Sequence, residues 1–174
     1  MRGTPSIRLV PFGEQHLPGF RSLIADPVVR RFTRVPDPVP DGFDRAWVER
    51  YELGRTENSR MNFAIEEPSG GGFLGVAVVP HMDHEERTAE LGYVLSADAR
   101  GRGVATEALL QLTAWAFEAQ DMIRLQLLIS RTNDASKAVA GRCGYQFEGV
   151  LRGLYFKQDL REDTESWSRL ISDS

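Results

Sequence analysis

Apolar positions follow two periods along this chain, and the switch between them divides it. Up to about residue 56 the spacing is helical. Leu17, Phe20, Leu23 and Ile24 fall on one face of a helix over Glu14–Ile24 whose start is limited by Pro18 and Gly19. Asp26 followed by Pro27 starts a second, short helix to Phe32, with Asp as cap and Pro as first residue. The prolines between Val35 and Pro40 impose a loop, after which Asp41 or Asp44 caps a third helix to about Arg55. Phe43, Trp47, Val48 and Tyr51 form its inner side. Ile7 to Phe12 before them reads as a strand.

From Met61 the pattern becomes period two or continuously apolar, predicting strands over Asn62–Glu66, Phe73–Pro80 and Thr88–Leu95. A glycine-rich hairpin over Pro68–Gly72 joins the first two, and a polar turn over His81–Glu86 joins the next. Val104–Ala119 returns to helical spacing, with Ala105, Ala108, Leu109, Leu112, Ala116 and Ala119 in one stripe. A buried strand over Arg124–Ser130, a helix over Asn133–Arg142 stopped by Gly144, and closing strands over Tyr145–Val150 and Glu165–Ile171 complete the series. With no internal repeat or linker, the pattern predicts one α/β domain over residues 1–174 with a mixed, mostly antiparallel sheet.

Between the strand ending at Leu95 and the long helix lies Arg100-Gly101-Arg102-Gly103-Val104-Ala105. The first N–H groups of a helix have no partner within it, and the helix dipole adds positive charge there. Two glycines let the chain turn sharply and let a ligand approach bare backbone. The arrangement suits a phosphate or pyrophosphate, and Arg100 and Arg102 flank it with charge. A turn that merely starts a helix has the same local pattern. The loop lacks the Gly-Lys-Ser/Thr of a Walker A sequence, and Thr106 stands where a Rossmann fingerprint needs Gly or Ala.

Composition narrows this further. The 174 residues suffice for one sizeable core, and 41% hydrophobic with 26% charged residues is ordinary for a globular protein. A formal charge of −4 argues against general nucleic-acid binding, which needs clustered Lys and Arg. No apolar run approaches the ~20 residues of a membrane span. Arg8 interrupts the segment where a signal peptide would need its apolar core. The single Cys143 fits a reducing cytoplasm.

Beyond the glycine loop, Asn133 and Ser136 open a helix that ends in Cys143-Gly144-Tyr145. Capping alone accounts for these residues taken singly. In combination, the chain resembles the GCN5-related N-acetyltransferase (GNAT) superfamily, and within it the ribosomal-protein alanine acetyltransferase branch. The loop from Arg100 to Ala105 is similar to the family's Gln/Arg-x-x-Gly-x-Gly/Ala acetyl-CoA motif. Glu90-Leu91-Gly92-Tyr93 resembles that branch's Glu-Ile-Gly-Tyr strand, and Asn133-x-x-Ser136 with Gly144-Tyr145 and Phe147–Arg152 matches its later segments. The likeness covers about residues 60–171, the acetyl-CoA half. Helices over about 14–56 resemble the family only in pattern and fall on the acceptor side.

The resemblance implies a twisted sheet whose central strands splay, with pantetheine hydrogen-bonded to backbone near Val94 and Leu95. It implies pyrophosphate on the N–H groups of Arg100, Gly101, Arg102, Gly103, Val104, Ala105 and Thr106, and Asn133 against the pantetheine arm. Acetyl-CoA is the implied cosubstrate, and a primary amine, by preference a protein or peptide N-terminus, the implied acceptor. Glu90 is the candidate base and Ser136 the candidate acid for the departing thiolate, with Tyr155 a weaker one. Tyr145 and Cys143 read as packed core residues, and Phe32, Trp47 and Tyr51 as core more than pocket lining. His16, His81 and His84 lack metal-ligand spacing, so no metal is expected. A cytoplasmic enzyme without membrane or nucleic-acid partners is expected, and a homodimer stays open. Rival readings are a small-molecule amine acetyltransferase, a CoA-binding module without chemistry, and a nucleotide-binding protein using the same cradle.

Overall fold

The computed structural model describes residues 6–173. The N-terminal pentapeptide, on which the signal-peptide reading partly rests, lies outside them. Seven strands form one sheet in the order β1-β2-β3-β4-β5-β7-β6. They are β1 (Arg8–Pro11), β2 (Met61–Glu66), β3 (Phe73–Asp83), β4 (Thr88–Leu95), β5 (Arg124–Ser130), β6 (Gln146–Lys157) and β7 (Leu160–Leu170). The helices are α1 (Leu17–Ala25), α2 (Pro27–Phe32), α3 (Phe43–Thr56), α4 (Val104–Glu118) and α5 (Asp134–Arg142). All strand pairs are antiparallel except β4 with β5.

That one parallel pair is short. It runs from Thr88 opposite Arg124 to Glu90 opposite Gln126 and then stops, so the outer half of β4 has no partner on its β5 side. The expected splayed sheet is present, with Glu90 at the fork.

Two cores flank the sheet because side chains of a strand alternate faces. On one face Leu91 and Leu95 of β4 join Phe63, Ile65, Ala77 and Val79 under α4 and α5. There Ala108, Leu109, Leu112 and Ala116 are almost wholly buried, as the apolar stripe predicts, and Val104 joins them, whereas Ala105 is half-buried and Ala119 exposed. On the other face Val94 packs with Ala64, Val76 and the helices α1 and α3. Phe20 stacks on Trp47 with centroids 4.3 Å apart, and Tyr51 follows at 4.7 Å, so Trp47 and Tyr51 are core aromatics.

Strands β2, β4 and β5 and helices α2 and α4 fall within a residue or so of their expected places. Four local expectations need correction. Helix α3 is not capped by Asp41 or Asp44: Gly42, with φ +76°, is its N-cap, and the Asp44 carboxylate accepts from Arg21 at 2.6 Å instead. A single 3-10 turn, Glu14–His16, precedes α1, because Pro18 suits only a helix's first turn. The polar residues His81–Asp83 extend β3 rather than form a turn. Strands β6 and β7 run far beyond Val150 and back to Leu160, joined by a two-residue turn whose Gln158 and Asp159 both have positive φ.

Candidate active site

The glycine loop delivers the backbone it predicts. A short turn over Ala97–Ala99 leads into Arg100, and Gly101 and Gly103 take φ of +71° and +84°. A Cβ at Gly101 would meet nothing within 4 Å, so the peptide faces open space. Gly103 is the N-cap of α4, and the first hydrogen bond of that helix is from Glu107 N–H to the Gly103 carbonyl. The N–H groups of Val104, Ala105 and Thr106 therefore have no acceptor within the helix.

The arginines behave differently from the expected pair of phosphate ligands. Arg100 turns its guanidinium back, donating to the Asp26 carboxylate at 2.5 Å and to the Leu95 carbonyl at 3.0 Å. Its side chain is thus spent on the shape of the loop, and its backbone N–H donates to the Ala97 carbonyl at 3.4 Å, so Arg100 is corrected as a phosphate ligand and the cradle begins at Gly101. Arg102 is exposed, 3.7 Å from Glu67. A second cation comes from a residue the sequence reading passed over: Arg142 at the end of α5 donates to Thr106 Oγ1 at 3.4 Å, beside the start of α4.

The free edge of β4 can be assigned residue by residue. Ser96 N–H bonds the Leu74 carbonyl at 2.9 Å, whereas the Arg87 carbonyl accepts from Ile123 at 2.8 Å. Backbone groups of a strand alternate sides, so residues 88, 90, 92 and 94 face β3 and residues 87, 89, 91, 93 and 95 face β5. The Val94 carbonyl accordingly lies so near Gly75 that a Cβ there would come within 2.1 Å of it, and Gly75 adopts φ +152°. Val94 is therefore corrected as a backbone ligand, since its peptide groups serve β3. Because Arg100 occupies the Leu95 carbonyl, the groups open toward the fork are the Tyr93 N–H and C=O and the Leu95 N–H.

Side chains on the α4–α5 side of the fork add a polar corner. Asn133 Oδ1 accepts the Ser136 N–H at 3.1 Å, capping α5 and leaving its amide nitrogen uncommitted. The Tyr93 hydroxyl is buried without a hydrogen-bond partner. Burial raises its pKa, while Ser136 close by pulls the other way. With Ser136 near but out of good hydrogen-bond geometry, the phenol stays poorly satisfied, which costs free energy unless a ligand completes it.

Glu90 lies on the opposite face of β4, with Val94 and the helices α1–α3. Burial raises its pKa, against the opposing charges of Arg34 and His81. Tyr155 of β6 joins this group: Arg34 sits over its ring, 4.9 Å from the centroid, and burial lifts its phenol. Glu90 also bears on Tyr51, whose pKa burial pushes up to about 12. Arg34, His81 and Tyr155 come from a proline-rich loop and two different strands, so no sequence spacing connects them.

The remaining candidates are structural. Cys143 is 2% exposed, its thiol directed at the Thr106 carbonyl and raised by burial to about 11, which opposes a nucleophilic role. Tyr145 shares a buried 2.8 Å hydrogen bond with Thr113. His16 Nδ1 accepts the Gly13 N–H at 2.9 Å, so Nε2 carries the proton and donates to Glu66 at 3.0 Å. Among the described residues no three His, Cys, Asp or Glu side chains gather as a metal site, and no helix is long and apolar enough to cross a membrane.

A strand pair that forks, followed by a two-glycine anion loop at a helix start, is matched by a family profile. The profile described as "Acetyltransferase (GNAT) domain" matches residues 6–146. This chain belongs to the GNAT acetyltransferase family. YdaF of Bacillus subtilis (strain 168), provisionally named a ribosomal N-acetyltransferase, is 34% identical to this GNAT chain over 100 residues, 58% of this chain and 55% of YdaF. The match thus spans little more than half of that curated relative. Among solved structures, RimL, a ribosomal L7/L12 α-N-protein acetyltransferase in complex with coenzyme A, superposes with TM-score 0.87 at 20% identity, covering 100% of this chain and 98% of that one. The spermidine N-acetyltransferase of Vibrio cholerae, in complex with CoA and spermine, gives 0.84 at 17% identity over 96% of each chain. At these identities the two likenesses speak for the fold.

Proposed function

We propose that this chain is an acetyl-CoA-dependent N-acetyltransferase that moves the acetyl group directly to a primary amine, by preference the α-amine of a protein or peptide. The observation that carries the reading is the fork. β4 leaves β5 after Glu90, and the open Tyr93 and Leu95 backbone groups lead straight to the unpartnered amides of residues 101–106. Those parts fit a pantetheine arm lying as a short extra strand and a pyrophosphate on the helix start. The Tyr93 hydroxyl, only loosely approached by Ser136, supplies a further group for a ligand to satisfy.

Bound acetyl-CoA supplies an activated acyl group as a thioester. Glu90 takes a proton from the incoming ammonium, directly or through water, and its raised pKa suits it to that task. The neutral nitrogen forms the N–C bond while the C–S bond breaks. Open β4 amides hold the carbonyl oxygen as charge develops on it. Ser136, with the Tyr93 phenol beside it, gives its proton to the thiolate and takes up the second proton that the newly acylated nitrogen sheds. Asn133 uses its free amide nitrogen on the pantetheine arm. An α-amine, with pKa about 8 against about 10 for a lysine amine, asks less of the base.

On this reading the acceptor side is built by residues 14–56 together with Tyr155 of β6, and the acetyl-CoA side by the rest of residues 60–171. The test is a thiol-release assay with acetyl-CoA across N-terminal peptides, amino acids, polyamines and aminoglycosides. Peptide turnover supports the assignment, and rapid small-amine turnover without peptide turnover reverses the acceptor preference. Acetyl-CoA binding without turnover of any amine points to a sensor module, and ATP protection equal to that by CoA to a nucleotide-binding protein.

A further inference from the structure

Arg34 is a cation in search of a partner. It lies two residues past the end of α2, beyond the last turn where basic residues offset the helix dipole, so that role belongs to Arg30 and Arg31 instead. Arg30 is paired with Asp37 at 2.9 Å. Arg34 is exposed and makes no ion pair among the described residues, while Arg30 and Arg100 beside α2 are each paired with a carboxylate. Yet it is not loose. Its guanidinium stacks on Tyr155, 4.9 Å from the ring centroid. The strand carrying Tyr155 is tied to α2 two residues later, where Lys157 donates to the carbonyls of Arg30 and of Thr33, the latter at 3.0 Å. A charged side chain is thus held in place, with no carboxylate in direct contact, near enough to Glu90 for its charge to act on that carboxyl.

One N–H of the guanidinium bears on the Tyr155 hydroxyl, and the rest of its donor edge stays open, a fork shaped for a carboxylate or phosphate. Glu90 needs its own charge to accept a proton and is set back at the fork of the sheet. An acceptor whose amine reaches Glu90 therefore brings the atoms a few bonds behind that amine past Arg34. A second cation there is repelled, and an anion is held.

We infer that Arg34 sorts acceptors by charge, favouring an amine with an anionic group a few bonds away, such as a peptide N-terminus followed by acidic residues, over polyamines and basic N-termini. The inference rests on the transferase reading above and narrows its acceptor class. Arg34 acts here as a specificity residue. The same anionic chemistry has two sources, a side chain of an acidic peptide or the carboxylate of a free acidic amino acid, and the assay separates them.

The experiment measures acetyl transfer to Ala-Glu-Glu-amide, Ala-Gln-Gln-amide and Ala-Lys-Lys-amide, to free glutamate and to spermidine. It uses the full chain, as wild type, Arg34→Ala, Arg34→Lys and Arg34→Glu. The expected kcat/KM ratio of acidic to basic peptide is about tenfold or more in wild type, smaller but still above unity in Arg34→Lys, near unity in Arg34→Ala and inverted in Arg34→Glu. The ratio cancels any influence of Arg34 on Glu90, because both peptides meet the same base. Free glutamate outpacing the acidic peptide assigns the anion to a small amine, and the reverse assigns it to a peptide. Preference for spermidine or the basic peptide, or an acidic preference that survives Arg34→Ala, overturns the inference while leaving the transferase standing. Absence of turnover with every amine overturns the transferase reading. In that case, calorimetric binding of Ala-Glu-Glu-amide to the CoA-saturated protein, lost in Arg34→Ala, still supports the charge selection, and equal or absent binding ends it.

Discussion

Arg100 and Asp26 meet at 2.5 Å although 74 residues separate them, joining the glycine loop to the N-cap of α2. Asp26 does two jobs with one carboxylate, since its other oxygen accepts the Val28 N–H at 2.8 Å. Burial pushes its pKa up, but the Val28 N–H and the Arg100 hydrogen bond and charge prevail and hold it below the ordinary 3.8. A depressed carboxyl contributes stability above its unfolded pKa and loses it as pH falls through the folded one. Asp26→Asn and Arg100→Ala should each cost about 1–2 kcal/mol, as for a charge-assisted hydrogen bond at a partly exposed site. A double-mutant cycle followed by urea denaturation should show clear coupling at pH 7 that fades below about pH 3.8. Because the link also fixes the loop, Arg100→Ala should weaken CoA binding.

Glu90 should trade stability for function. Its pKa is raised by burial, so between the ordinary carboxylate pKa of 4.5 and the folded value the native state holds more protons than the unfolded chain. Stability falls as pH rises through that window, and the loss persists at neutral pH. Glu90→Gln should therefore raise the melting temperature at pH 7 while cutting turnover by about a hundredfold or more, the scale of general-base catalysis. The wild-type kcat/KM should rise with pH along a limb set above the ordinary carboxylate range, and the variant should lack that limb. Unchanged turnover with normal acetyl-CoA binding would remove the base assignment.

Glu148 governs acid lability at the other end of the sheet. It receives both Arg124 nitrogens at 2.8 Å, Ser166 at 3.0 Å and Ser168 at 2.8 Å. Arg124 first, with the two serines, lowers its pKa to about 2 against the cost of burial. Its contribution is present above pH 4.5 and fades as pH falls toward 2. Glu148→Gln should lower stability at pH 7 and flatten the acid limb of a pH–stability curve measured by denaturant. Since the carboxylate is partly exposed, the loss should stay near 1–2 kcal/mol, about the worth of hydrogen bonds to a charged group.

Thr113 and Tyr145 form a closed pair inside the α4 core, with 2.8 Å between their hydroxyl oxygens and both residues about 3% exposed. Removing one hydroxyl strands the other. Tyr145→Phe should cost about 1–3 kcal/mol, whereas Thr113→Val with Tyr145→Phe should cost less than the two single changes added together. Turnover should be preserved in the double variant, because neither hydroxyl faces the fork.

What could be read in the sequence follows from how local each signal is. β4 and β5 were legible to the residue because both are flanked by turns and carry enough apolar side chains to fix their period. The glycine loop was legible because backbone geometry depends on Gly101 and Gly103 alone. β6 was read too short because its side chains are half-exposed or exposed over its whole length, which erases the alternation, and bulges near Gly149 and between Leu151 and Tyr155 shift its register. The fate of the Arg100 side chain was hidden, since its partner Asp26 looks like a plain helix cap. The group of Arg34, His81 and Tyr155 around Glu90 was beyond reach for the same reason: three distant segments meet only once the sheet has formed.

The central claim is that the peptide groups between Gly101 and Thr106, continued by the open edge of β4, hold the diphosphate and pantetheine of CoA. The most direct measurement is calorimetric titration of CoA into the wild-type chain and into Gly103→Val, which puts a branched side chain at φ +84° where the helix start meets its ligand. The account predicts one CoA per chain, with affinity lowered at least about tenfold in the variant while its circular dichroism stays native. A wild-type chain that gives no binding heat, or a folded Gly103→Val that binds CoA as tightly as wild type, would contradict it.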